Sequence, residues 1–302
     1  MGGREDATNV LMQPAACAIS SIDMDHEKFL GPTREDIASH KAGIFQTGCP
    51  ALVAVSGMSE SVKRVIGDCA HAVCTKPVVW VEPAEVVDES TGQRGEIAQA
   101  QRLRVQGFSQ ELHIPLLGDY QRSNAALALA VLLELRNQKL QLRSCEQLLD
   151  ASLLDDGTIA AGMATTRWPG RLEWLELGTG RVLLDGAHNP HAAAALGRYV
   201  DDAVRPRGLP VSWVIAMSAG KDDKAILQEL LHSDKDALYA VSFSTVEGMP
   251  WVQAQAQHDL LSSARSCRPQ LRRFQACPDL RTALQAVQTD PAALPDCTCC
   301  EQ

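Results

Sequence analysis

The stretch Leu183–Leu196, LLDGAHNPHAAAAL, brings together residues that could do chemistry. An apolar run, Val182–Leu184, ends in Asp185, then Gly186 and Ala187, then His188 and Asn189, and Pro190 opens an Ala-rich helical run. Pro suits a first helical turn, and the free N–H groups of a helix start favour an anion. A carboxylate and an imidazole at the end of a buried strand stand where open α/β sheets take their ligands. Spacing alone leaves a plainer reading open, in which Asn189 caps the helix and Asp185 closes a turn.

A second group lies in ISSIDMDHEKFLGPTREDIASHKAGIF, which holds Asp25, His26 and Lys41. The apolar approach Ala15–Ile22 reads as a strand, so His26 follows its C-terminal end. Lys41 ends a helix-like run before Ala42–Gly43–Ile44, and an ammonium in a half-buried setting is costly. Taken singly, each of these residues is equally a cap or a surface group. GDYQRSNAALALA sets Gln121 and Asn124 at the mouth of the longest helix, where side-chain amides could read a base edge or cap the helix. TTRWPGR places Arg171 beside Trp168–Pro169, where a guanidinium could meet phosphate or simply be solvated.

The elements that must position these residues follow from periodicity. Ala51–Val55 and Val78–Val81 read as buried strands, and Ser59–Cys74 as an amphipathic helix between them. Val86–Gln110 is polar and reads as a loop. Ser123–Leu140 is the clearest helix, with Ser123 as its N-cap, and a further helix is expected over about Cys145–Leu154. The composition of Asp155–Pro169 predicts a linker, so the domains are expected to be 1–165 and 166–302. Beyond it, Leu172–Leu177 and Arg181–Leu184 form a hairpin. Strands at Val211–Met217 and Ala237–Phe243 then alternate with helices at Pro190–Val204, Asp222–His232, Val252–Ser266 and Leu280–Thr289. That rhythm predicts an open, doubly wound α/β domain with a parallel sheet.

The 302 residues suffice for two domains with buried cores. With 28 Lys and Arg against 37 Asp and Glu, the net charge is 28 − 37 = −9, which argues against non-specific nucleic-acid binding. The longest uncharged stretch, Ala42–Ser59, is broken by Gly43, Gln46, Gly48 and Pro50, so no membrane span is expected. MGGREDATNV has no apolar run, which predicts no signal or transit peptide. Most of the 10 cysteines are scattered, and they read as reduced thiols of a cytosolic protein. Cys297, Cys299 and Cys300 crowd the tail with no His nearby, which suits an unstructured terminus better than a metal site.

Seven segments, taken in order, resemble the dihydrofolate synthase/folylpolyglutamate synthase family, relatives of the Mur ligases. They are GGREDATN, SSIDMDHEKFLGPTREDIASHKAGIF, GDYQRSNAALA, WPGR, LDGAHNPHAA, GKD at Gly220–Asp222 and VEGMPWV, and the last is most similar to the fungal dihydrofolate synthase branch. The resemblance implies an α/β protein: a P-loop-type central ATPase domain, here a remnant, joined to a C-terminal open doubly wound Mur ligase domain. It implies a ligase of folate and one-carbon metabolism that joins L-glutamate to dihydropteroate or a folate through an acyl phosphate, using ATP and Mg²⁺. By resemblance His26 is a metal ligand, and Lys41 is carbamylated and also binds metal. Asn124 then contacts the adenine with Gln121 close by, Arg171 the phosphates, Asp185 the ribose, and His188 the phosphate region. The resemblance further implies a cytoplasmic monomer, with a mitochondrial pool in some members, whose active site lies between the domains.

The sequence departs from the family pattern in several places. No G-x-x-x-x-G-K-[ST] occurs, the metal-binding Glu that precedes GGR in the family would fall upstream of Met1, and Tyr120 stands where a His is usual. The chain ends in PAALPDCTCCEQ instead of an apolar strand and a Gly-Ser turn. The expectation is a fragment of such an enzyme that lacks its P-loop segment. Two rivals remain: a catalytically inactive remnant that binds nucleotide or folate weakly, and a Mur-type ligase for another acid.

Overall fold

The computed structural model describes residues 2–24, 30–73, 75–89, 100–139, 141–143, 148–150, 154–177, 180–208 and 210–290. The chain divides into two compact units, Met1–Leu184 and Asp185–Gln302.

In the first unit, β1 (Cys17–Ile19), β2 (Ala51–Ala54) and β3 (Val79–Val81) form a parallel sheet in that order. All four residues of β2 are buried, and its period of two sends alternate side chains to opposite faces. Ala51 and Val53 join a core with Ile37 and Ala38 of α1 (Arg34–Lys41) and with Val62, Ile66 and Ala70 of α2 (Glu60–Ala72). Leu52 and Ala54 join a second core with Leu103, Leu112 and the α3 (Asp119–Asn137) residues Ala126 and Leu129. The expected loop over Val86–Gln110 instead carries β4 (Glu85–Glu89) and β5 (Gln101–Arg104), which continue antiparallel into β6 (Leu112–Ile114). β5 looks polar because its outward residues, Arg102 and Arg104, both pair with Glu111, while Gln101 and Leu103 point inward.

Three further expectations in this unit are corrected. Of the helix expected over Cys145–Leu154, residues 148–150 instead form β8 (Leu148–Asp150), which pairs antiparallel with β7 (Gln141–Arg143), and 145–147 and 151–153 lie outside the described residues. The supposed linker holds α4 (Asp156–Ala164), capped by Asp155 accepting from Thr158 N at 2.6 Å. Asp156 holds that helix to the body by accepting from Arg136 at 2.7 Å and from Ser109. Finally, α3 begins at Asp119 with Gly118 as its N-cap, so Ser123 lies inside the helix. The hairpin β9 (Glu173–Leu177) and β10 (Gly180–Leu184) forms as the sequence predicts. The two compact units part after this hairpin.

In the second unit, β11 (Ser212–Ile215), β12 (Ala237–Ala240) and β13 (Arg273–Ala276) run parallel in that order. The helices are α5 (Pro190–Tyr199), α6 (Asp223–Leu230), α7 (Gln257–Cys267) and α8 (Leu280–Gln288). Crossovers between parallel strands are right-handed as a rule, which puts α6 and α7 on one face, and the two pack against each other. On the other face Ala237, Tyr239 and Val241 meet Ala283, Ala286 and Val287 from α8. The sheet is thus covered on both sides, as a doubly wound domain requires.

Burial and the hydrogen bond with Cys17 push the Cys49 thiol from 9.0 up to about 12. Burial also raises Tyr239 and Cys277. These groups keep their protons in the fold at a pH where an unfolded chain has lost them. Their contribution is complete below about pH 9, the ordinary thiol value, and is lost as the pH climbs towards the folded value near 12. The melting midpoint is expected to fall across that window. Cys49→Ser should make the fall shallower, and an unchanged slope would contradict the assignment.

Candidate functional site

Lys41 is the last residue of α1, a helix closed at its start by the capping box of Thr33 and Asp36. Its Nζ donates to the Ser21 carbonyl at 2.8 Å, tying the helix end to the chain that leaves β1. Glu35 accepts from Ser61 at 2.6 Å, and that bond holds its carboxyl below the ordinary value. Asp36 is taken by Thr33. Neither of these acids pairs with Lys41. His26 lies outside the described residues.

The Lys41 position rests on a double glycine lock that sequence reading missed. Gly3 has φ +75°, and a Cβ on it would lie 2.1 Å from the His40 carbonyl oxygen and 2.7 Å from Lys41 Cα. Gly43, two residues beyond Lys41, would place a Cβ 2.2 Å from Arg4 Cγ and 2.9 Å from Arg4 N. Asn9 reinforces the turn by donating to the Gly3 and Arg4 carbonyls at 2.8 and 3.1 Å. The glycines of GGR and KAG were visible signals, but nothing local says that they meet. Gly3→Ala is expected to cost about 3 kcal/mol, combining left-handed strain with overpacking against backbone. Gly67→Ala, in open space inside α2, should instead gain about 0.5–1 kcal/mol. Equal midpoints for the two variants in chemical denaturation would sink the lock.

Gln121 and Asn124 sit in the first turns of α3, and Asn124 Nδ2 donates to Gln121 Oε1 at 3.0 Å. Gln121 is buried, whereas Asn124 is exposed. Gln101 steadies the approach by donating to the Leu116 and Gly118 carbonyls at 2.8 and 3.1 Å. The WPGR turn reaches the same place. Leu172 is buried in a left-handed conformation, φ +46°, and its Cδ1 lies 2.7 Å from where a Cβ on Gly118 would stand. Arg171, next to it, donates to the Gly170 carbonyl at 3.0 Å. The structure therefore brings the WPGR turn to the start of α3, which carries Gln121 and Asn124.

Asp185 and His188 open the second unit. Asp185 Oδ1 accepts from Ala187 N at 2.8 Å, Asn189 caps α5 by accepting from Ala192 N at 2.8 Å, and Pro190 is in the first turn. The plain roles of a turn and a cap are thus real. They also fix the tight bend that presents His188. Its Nδ1 donates to the Gly186 carbonyl at 2.9 Å, which leaves Nε2 exposed. Among the described residues no three His, Cys, Asp or Glu side chains come together to hold a metal ion. The cysteine tail lies outside them.

The model for the C-terminal domain of dihydrofolate synthetase matches residues 172–297. The chain is 33% identical over 270 residues to the probable dihydrofolate synthetase of Schizosaccharomyces pombe, covering 88% of this chain and 58% of that protein. The chain belongs to the dihydrofolate synthase/folylpolyglutamate synthase family. Solved structures agree. Mycobacterium tuberculosis folylpolyglutamate synthase complexed with ADP and AMPPCP superposes with a TM-score of 0.70 at 26% identity, over 98% of this chain and 62% of that one. A bifunctional folylpolyglutamate synthase/dihydrofolate synthase with Mn, AMPPNP and L-glutamate bound gives 0.62 at 25%, over 96% and 59%. The chain thus spans roughly three-fifths of the relatives it matches. The mixed α/β architecture with parallel sheets is that of the family, and among the described residues no helix is long and apolar enough to cross a membrane.

Proposed function

We propose that this chain supplies binding and catalytic groups for an ATP-dependent ligation that joins the amine of L-glutamate to the carboxylate of dihydropteroate or a folate. A carboxylate is a poor electrophile. Transfer of the terminal phosphoryl of ATP to it yields an acyl phosphate and ADP, and attack by the glutamate amine then forms the amide and releases phosphate. The observation that supports this reading is the meeting of two distant motifs, GGR and KAG, at the residue on which the chemistry would depend, Lys41. The relatives' own ligands, adenine nucleotides, Mn and L-glutamate, point the same way.

In this reading Asn124 contacts the adenine with Gln121 beside it, Arg171 meets phosphate, Asp185 holds the ribose, and His188 presents Nε2 to the phosphate region. Lys41 gives up one proton to become a neutral amine, whose nitrogen adds CO₂ and then sheds a second proton, leaving a carbamate and exchanging an ammonium donor for anionic oxygens. Mg²⁺ would offset phosphate charge when bound. The described residues do not by themselves form its site, so the ion is assigned to His26, outside them, and to the carbamate. The protein works as a cytoplasmic monomer in this account.

The test is ADP release, given ATP, Mg²⁺, L-glutamate and dihydropteroate, with a folate as the second acceptor, from this chain joined to a G-x-x-x-x-G-K-[ST] segment of the family, which its sequence lacks. Release that requires both glutamate and one of the acceptors is the expected result there, and none is expected from the 302 residues alone, which have no such loop to hold the phosphates. ADP release that ignores glutamate and both acceptors would overturn the reading.

A further inference from the structure

Two cysteines with no part in the proposed chemistry stand together in the first unit. Cys17 opens β1 and Cys49 lies two residues before β2, yet their Sγ atoms are 3.6 Å apart. The approach is built by the sheet. Cys17 pairs with Ala51 across the parallel ladder, and Cys17 N donates to the Pro50 carbonyl at 2.8 Å. Both side chains are buried, at 4% and 5% exposure. Cys17 Sγ donates to the Ile44 carbonyl at 3.1 Å, and Cys49 Sγ to the Pro14 carbonyl at 3.3 Å. Cys49 Sγ also lies 3.5 Å from the Pro50 carbonyl, and all of these are weak thiol contacts that do little to oppose a change of partner. A disulfide needs about 2.05 Å between sulfurs, so closing the gap takes a movement of about 1.5 Å, within reach of side-chain rotation.

We propose that Cys17 and Cys49 are a modification site: a dithiol that a peroxide converts to an intramolecular disulfide. In the first step the Cys17 sulfur attacks one peroxide oxygen, the O–O bond breaks, and a sulfenic acid and water form. In the second the Cys49 sulfur attacks the Cys17 sulfur, the S–O bond breaks, and the hydroxyl leaves as a second water with the Cys49 proton. Two thiols and one H₂O₂ thus give one disulfide and two H₂O, with sulfur oxidised and peroxide reduced. Burial makes the reaction wait on local opening of the β1 edge, so it is slow. The neighbour at 3.6 Å then captures the sulfenic acid before a second oxygen adds. The bridge encloses the segment that carries Lys41, anchoring both of its ends to the sheet.

The experiment treats the folded, reduced chain with hydrogen peroxide and blocks the remaining thiols with N-ethylmaleimide in denaturant. Non-reducing digestion and mass spectrometry then follow. The expected result is a Cys17–Cys49 cross-linked peptide, 2 Da below the sum of its reduced parts and abolished by dithiothreitol. The oxidised form should melt on the order of 5 °C higher, because its unfolded chain is cross-linked. Recovery of Cys17 and Cys49 as maleimide adducts, or their appearance in bridges to other cysteines, overturns the proposal. In Cys49→Ser, dimedone should trap the sulfenic acid on Cys17. A disulfide from Cys17 to another cysteine there, with no trapped acid, would show that Cys49 is not its built partner.

Discussion

Lys41→Ala is expected to lower glutamate-dependent ATP turnover about 10²–10³-fold in any preparation whose wild-type form shows it, the usual cost of losing one electrostatic contact to the transition state. Nucleotide affinity should change far less, because the adenine and ribose contacts are assigned elsewhere, to Asn124 and Asp185. Among its contacts, Nζ donates to the backbone carbonyl of Ser21, while the nearby acids Glu35 and Asp36 are engaged by Ser61 and Thr33. A short-chain carboxylate such as acetate can fill the space and offer the same pair of oxygens as a carbamate. Partial recovery of the rate with added acetate is therefore expected. Near-normal turnover without it would defeat the carbamate assignment, and a melting midpoint that falls along with the rate would point to a structural lysine.

The largest effect on stability is expected at Asp236, which is fully buried before β12. Arg205 grips it with both terminal nitrogens, at 3.0 and 2.6 Å, and Val211 N and Trp213 Nε1 donate to it at 3.1 and 3.3 Å. Arg205 is held in turn by Asp201 at 2.6 Å, and Asp201 also meets His232 Nδ1 at 2.6 Å. The pair with Asp236 raises Arg205 above its ordinary value, and a guanidinium is not deprotonated in a protein even when its partner is removed. Asp236→Asn retains the shape but turns a donor towards the Arg205 and Trp213 donors, and it leaves a buried positive charge short of its partner. Breaking a buried pair from one side typically costs about 3–5 kcal/mol. For a chain of this size that is on the order of a 10 °C drop in melting midpoint. Arg205→Met combined with Asp236→Leu should cost less than Asp236→Asn alone, because no unpaired charge remains. Denaturant unfolding of the three proteins decides. A loss under about 1 kcal/mol for Asp236→Asn would mean that the network contributes little. Asp236 stands at the start of its strand, whereas open sheets take ligands beyond the strand ends, so this cost belongs to folding and not to chemistry.

Much of the architecture was legible in the sequence because its causes are local. Pro190 and Asn189 announce the start of α5 through fixed φ and a capping side chain, and the structure has both where expected. The β9–β10 hairpin and the alternation of strand and helix after it follow from apolar periodicity within a few residues. The motif order determined the family in the same way, since spacing along a chain needs no contacts to be read.

What only the tertiary structure decided depends on partners far away in sequence. β5 reads as a polar loop until Glu111 is seen to neutralise both of its arginines and Leu112 to lie beside Leu103. α4 reads as a linker because Asp155 and Asp156 look like turn residues. One caps the helix and the other finds Arg136, 20 positions upstream. The start of α3 moves back to Asp119, because its N-cap is Gly118, held by Gln101 and Leu172 and not by a local Ser side chain. The lock of Gly3 on His40 and of Gly43 on Arg4 joins segments nearly forty residues apart, and it alone shows how two short motifs act at one place. Periodicity records which face a residue shows and capping records where a helix starts. Neither records which distant surface comes to meet it, because that is settled by the shared burial of two sheet faces and by polar groups that find partners only once the chain has closed.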